Sequence, residues 1–176
     1  MGNNNKLYSE IFDEFNHAHG RDGRLGVLRK YQGNKWFTEF LNYAFNPKIQ
    51  FDILKVPDYK PAVEPAGLNF TYLNNEMRRI YIFIQGHPKR TAKLDARKEE
   101  RILNALLGSL HKDEAILLVK LFQKNLGIKY LTSRLVKEAF PFMPYELPVA
   151  ESELEAVTKA PHVTKTTNTV GATVKV

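Results

Sequence analysis

Asn125, Gly127, Lys129, Thr132, Ser133 and Arg134 are the residues of this sequence best suited to chemistry, and that chemistry is the holding of an anion. Gly127 admits a tight turn, Thr132 and Ser133 supply hydroxyls where a helix begins, and backbone N–H groups at a helix start attract negative charge. Lys129, Arg134 and Lys137 add positive charge beside them. A phosphate placed there would meet hydrogen-bond donors and cations, but no nucleophile or base. The same residues also read as helix punctuation, because Gly often follows a helix and Thr or Ser often caps one. Residue types alone leave both readings open.

Covalent chemistry has less support. Lys93-Leu94-Asp95-Ala96-Arg97 resembles the nucleotidyl-transfer signature, with Ala96 in place of its Gly. The pattern places this lysine in a charged helix, where nothing lowers its amine pKa as nucleophilic catalysis requires. A Gly-rich phosphate loop, a Gly-x-Ser-x-Gly elbow and a two-acid constellation are all missing. The five histidines are scattered, and His17 and His19 stand two apart, a spacing that does not share a helix face. With no cysteine, disulfides and thiolate metal sites are excluded. No enzyme, cofactor or metal is expected.

The charge points to a polyanion. The chain has 176 residues and a net charge of +7, and residues 151–176 contribute none of the excess, since Glu151, Glu153 and Glu155 balance Lys159, Lys165 and Lys175. Between residues 78 and 101, Arg78, Arg79, Lys89, Arg90, Lys93, Arg97, Lys98 and Arg101 face only Asp95, Glu99 and Glu100. Clustered cations on a basic body favour nucleic acid, whereas a short charge run by itself is usually a solvated helix face.

Apolar spacing predicts the elements that position these groups. Leu7, Ile11, Phe12 and Phe15 form the stripe of a helix over 6–18, ended by His19-Gly20; Leu25, Val27 and Leu28 mark a second; Trp36 to Phe45 mark a third, stopped at Asn46-Pro47. Ile49 to Val56 is compatible with helix or strand. A proline-rich loop follows, then a central helix from Thr71 bearing Leu73, Met77, Ile80 and Ile84, with a strand from Ile80 to Ile84 as the alternative. Helices after Thr91, carrying Leu94 and Ile102 to Leu110, and after Lys112 precede the Gly127 turn and a last helix with Leu135, Val136, Ala139 and Phe140. Asp113 and Glu114 at the start of the Lys112 helix, with Lys120 and Lys124 near its end, suit its dipole. No apolar run reaches the roughly 20 residues of a membrane span, and the N-terminus lacks the apolar stretch of a secretory signal.

Three segments, LYSEIFDEF, FLNYAFNPKIQFDILKVP and EAILLVKLFQKNLGIKYLTSRLVKEAFP, follow the order of segments in another family. The chain thereby resembles the α-helical N-terminal DNA-binding domain of phage-type ATP-dependent DNA ligases over most of residues 6–145. The segments NNEMRRIYIFIQG and LVKEAFP also resemble small proteins of tailed phages. The ligase resemblance implies a body that grips duplex DNA through its phosphates and minor-groove side, without the domains that ligate. It carries over to Asn125, Gly127, Lys129, Thr132, Ser133 and Arg134; Arg78, Arg79, Lys89 and Arg90 are added from charge.

The expectation is an all-α, compact multi-helix domain over 1–146 with a disordered or extended Thr/Val-rich tail over 147–176. Its expected function is non-catalytic binding of duplex DNA, nicked duplex included, with little sequence preference, through Arg78, Arg79, Lys89, Arg90, Asn125, Gly127, Lys129, Thr132, Ser133, Arg134 and Lys137. The alternative is a protein-interaction or virion module whose tail docks on a phage or host partner. The expected location is the host cytoplasm, with the virion as second choice, and no membrane partner is expected.

Overall fold

Each apolar stripe along the chain ends where the backbone ladder is interrupted, and the elements follow those interruptions. The structure, a computed structural model, describes residues 6–53, 55–60, 62, 64, 65, 68, 71–90 and 95–147. Among the described residues the fold is all-α, with helices α1 (Tyr8–His17), α2 (Gly20–Lys30), α3 (Lys35–Phe45), α4 (Leu73–Glu76), α5 (Ala96–Ser109), α6 (Lys112–Phe122) and α7 (Ser133–Ala139). The expected tail from Pro148 onward, Thr91 as a helix start, and Lys93 and Leu94 of the nucleotidyl-transfer-like motif lie outside the described residues. None of the described helices is long and apolar enough to cross a membrane.

α1 turns Tyr8, Ile11, Phe12 and Phe15 inward, and α3 answers with Phe37, Phe40, Leu41 and Ala44. α3 starts where Asn34 accepts the N–H groups of Trp36 and Phe37, both at 3.1 Å, which satisfies donors that no helical carbonyl reaches. Tyr8 meets Phe37 and Phe40 edge-on at 5.1 and 5.3 Å, and Phe37 meets Phe140 from beyond α7 at 6.5 Å. Such pairs add about 0.5–1.5 kcal/mol each beyond area burial, so α1, α3 and α7 share one aromatic centre. α2 closes that centre with Leu25 and Leu28.

The expected α-helix from Thr71 to Ile84 is instead one α turn, α4, continued as a 3₁₀ segment over Met77–Phe83. Three residues per turn put Met77, Ile80 and Phe83 on one face, and all three are buried. An α-helix would have put Ile84 on that face in place of Phe83. Ile84 leaves the helix and forms a single antiparallel bridge with Phe51, flanked by Asp52 N–H to Phe83 carbonyl at 2.8 Å and Gln85 N–H to Gln50 carbonyl at 2.9 Å. The Ile49–Ile53 stretch is therefore extended, and the strand alternative survives only as that bridge. It seats Phe51 against Phe122 at 5.1 Å.

One buried and one half-buried charged group join elements distant in sequence. Glu114 lies in the first turn of α6 as expected, yet it is 0% exposed and serves other helices. Its carboxylate accepts the Tyr8 N–H at 3.1 Å and the Leu73 N–H at 2.8 Å, the first peptide groups of α1 and α4. Burial pushes this carboxyl up to about 6, partly offset by those two hydrogen bonds. At the other end of α6, Lys124 donates to the carbonyls of Tyr43 (2.7 Å) and Asn46 (2.8 Å), capping α3, and burial pushes its amine down to about 8.

Candidate nucleic-acid interface

The chain leaves α6 through two left-handed residues, Lys124 (φ 56°) and Gly127 (φ 65°). The Gly127 N–H is already taken by the Asn125 side chain at 3.1 Å. Thr132 likewise spends its hydroxyl oxygen on the Leu135 N–H at 3.2 Å, as the cap of α7. Both groups punctuate helices, and an anion at this turn must rely on side-chain charge. Gly127 also borders a groove lined by Asp13, Asp113 and Lys120, where the carboxylates oppose an anion. Asn125 and Gly127 thus serve the turn's geometry.

Past the turn the surface changes sign. Tyr130 adopts φ 65°, a left-handed value a tyrosine rarely takes, and its side chain stands on the surface at 52% exposure. The Arg24 guanidinium covers the ring at 4.0 Å, and the Lys129 ammonium lies 4.8 Å from its centre. Lys129 holds the Tyr130 phenol below its usual range, with Arg24 adding to the effect. A cleft of about 280 Å³ between α2 and α7 is lined by Arg21, Arg24, Tyr130, Thr132, Arg134 and Leu135. Arg21 forms a bidentate pair with Glu138, which joins the two helices and keeps that carboxyl below its usual range. Among the described residues Arg24, Arg29, Lys129 and Arg134 have no carboxylate within 4.0 Å.

The expected site residues separate into groups. Lys129, Thr132 and Arg134 come together at this cleft. Ser133 and Lys137 anchor the chain that follows α7: the Ser133 carbonyl accepts the Tyr145 hydroxyl at 3.2 Å, and Lys137 donates to the Met143 carbonyl beneath the Tyr145 ring. Arg90 is a structural tie, 17% exposed between Asp52 and Glu99, each at 3.0 Å. Arg79 pairs with Glu76 in its own turn. Arg78, whose Nε donates to the Asn75 carbonyl at 2.9 Å, and Lys89 keep exposed side chains without an ion pair among the described residues. These last groups are set by the 3₁₀ segment and its following loop, against α3, α4 and α5, whereas α7 packs on α2.

Sequence reasoning missed Arg21, Arg24 and Tyr130. A signal existed: α2 carries Arg21, Arg24, Arg29 and Lys30 against Asp22 alone, and the three-residue step from Arg21 to Arg24 places both on one helix face. Nothing local told Tyr130 apart from a core aromatic. Among the described residues no three His, Asp or Glu side chains gather as a metal ion would require.

A family model described as a family of unknown function, DUF6433, matches residues 11–128. No curated protein matches the chain. The matched span runs from within α1 through α6 and the Gly127 turn, and it stops just before Lys129 and the α7 side of the cleft.

Proposed function

The chain belongs to the family of unknown function DUF6433, and from that premise we propose that it is a non-catalytic protein that grips duplex DNA through backbone phosphates with little sequence preference. The observation that carries this reading is the set of cations by the α2–α7 cleft that have no carboxylate within 4.0 Å among the described residues, Arg29, Lys129 and Arg134, on a body with a net charge of +7. Phosphate recognition of this kind needs positive charge on a firm frame. The frame here is the Arg21–Glu138 pair together with the Gln32 side chain, which donates to the Ala139 carbonyl at the end of α7. Arg78 and Lys89 would supply outlying contacts if a duplex reached them. The ligase-like order of segments and the resemblance to tailed-phage proteins support the same reading, with the host cytoplasm as the place of action.

The test is fluorescence anisotropy against intact and nicked duplex at several salt concentrations. Each neutralised phosphate contributes roughly −0.9 to the slope of log affinity on log salt. Contacts by Arg29, Lys129 and Arg134 alone give roughly −3, and adding Arg78 and Lys89 gives roughly −4 to −5. No binding at low salt, or a slope near zero, overturns the proposal.

A further inference from the structure

We propose that the α2–α7 cleft is a pocket for one unpaired nucleotide, whose base extends the Tyr130–Arg24 stack and whose phosphate meets Arg134. This deepens the DNA-binding reading and rests on it for the identity of the polymer. Phosphate contacts explain cations, but they do not explain a half-exposed tyrosine held in a left-handed backbone with a guanidinium 4.0 Å over its ring. The left-handed region is costly for an ordinary residue, and such outliers persist where the surroundings impose them. Here the imposed result is a planar aromatic and cationic surface at the mouth of a cleft.

An intact duplex cannot use that surface, because its bases are stacked on each other and only their edges face the grooves. An unpaired base offers a π-face, which aromatic rings and guanidinium groups take up with little regard to its identity. The cleft volume of about 280 Å³ lies just under the roughly 300–1,000 Å³ of small-ligand pockets, a scale that suits one nucleotide and no more. Leu135 gives the lining an apolar part, and the Thr132 hydroxyl, whose oxygen accepts from Leu135, keeps its own proton to donate. Among the described residues the enclosed Arg24 Nε has no hydrogen-bond partner and the guanidinium no carboxylate within 4.0 Å, so this group is held by the stack. An adjacent phosphate would supply that missing counter-charge.

The experiment compares three probes by anisotropy: intact duplex, the same duplex with a short single-stranded thymidine gap, and a free oligothymidylate. Wild type is compared with Tyr130→Gly, which suits φ 65° and removes the ring without adding strain, and with Tyr130→Phe, which keeps the ring. The expected result is about 5–30-fold tighter binding to gapped than to intact duplex. Tyr130→Gly should abolish that preference with intact-duplex affinity and thermal midpoint retained, and Tyr130→Phe should keep it. Equal binding of gapped and intact duplex by wild type overturns the pocket and leaves the duplex reading standing. Binding of oligothymidylate that depends on Tyr130, with no binding of intact duplex, supports the pocket and overturns the duplex reading. Binding of none of the probes at low salt overturns both.

Discussion

Glu114 and Leu73 stand 41 residues apart in the chain, and the carboxylate of the first accepts the backbone N–H of the second at 2.8 Å in the buried interior. The other carboxylate oxygen takes the Tyr8 N–H at 3.1 Å, so one side chain ends the search of two helix starts for an acceptor. Because that carboxyl is held up to about 6 by burial, it affects stability over a defined pH range. A folded value above the unfolded value of 4.5 means that the folded state binds the proton more tightly. The associated stability is complete below pH 4.5 and is lost as pH rises through 6. Urea unfolding should show a fall of about 2 kcal/mol across that range. In Glu114→Gln this slope disappears, and stability at pH 7 drops by about 1–3 kcal/mol as one N–H loses its acceptor.

Glu14 acts in a lower range with the opposite sign. The Lys30 and Lys6 ammonium groups at 2.8 and 2.6 Å, with the Tyr31 hydroxyl at 2.9 Å, hold its carboxyl down to about 2. Its contribution is present above pH 4.5 and lost as pH falls toward 2. The side chain is 28% exposed, so solvent screening limits the effect to about 1 kcal/mol or less. Glu14→Gln should flatten the acid limb of the stability curve below pH 4.5 and leave the limb between 4.5 and 6 intact.

Gly127→Ala tests the turn. A Cβ there would meet nothing nearer than Lys120 Nζ at 3.9 Å, so the cost comes from φ +65° rather than from a clash. Chemical denaturation should show a loss of about 1 kcal/mol. If the turn serves geometry only, the salt slope of DNA binding should not change.

Arg90 and Arg134 should separate structure from binding. Arg90→Gln leaves Asp52 and Glu99 without their shared cation, which predicts a lower thermal midpoint and an unchanged salt slope. Arg134→Gln breaks no ion pair among the described residues and should keep the midpoint while making the slope shallower by roughly 0.9. Circular dichroism and anisotropy on the same preparations read both quantities.

Much of the architecture is legible in the order of the amino acids, because helices signal themselves locally. The 3–4 residue recurrence of Leu7, Ile11, Phe12 and Phe15, the Asn46-Pro47 stop and the Thr132 cap each depend on neighbours within a turn or two. The stretch from Thr71 to Ile84 breaks that rule. Leu73, Met77, Ile80 and Ile84 fit an α-helix, but the backbone takes a tighter coil over Met77–Phe83 that leads into the bridge between Phe51 and Ile84, a pairing distant in sequence. The candidate site is half legible. Lys129, Thr132 and Arg134 announce themselves by residue type, but Arg24 and Tyr130 matter through a stacking contact between residues more than a hundred positions apart, which no window along the chain contains.

The sequence by itself determined most of the helical segments and their stops, the stretch from Thr71 to Ile84 excepted, that the body is basic and that no thiol chemistry is available, since composition, periodicity and capping act at short range. Tertiary structure alone decided which charges are consumed and which are left over. Arg90 and Arg79 are neutralised by Asp52, Glu99 and Glu76, Glu114 is turned inward to the starts of two other helices, and Arg24 is laid on Tyr130 with no carboxylate within 4.0 Å among the described residues. The physical reason is that ion pairing, burial and stacking depend on distances of a few ångströms between elements, and those distances exist only once the helices have packed.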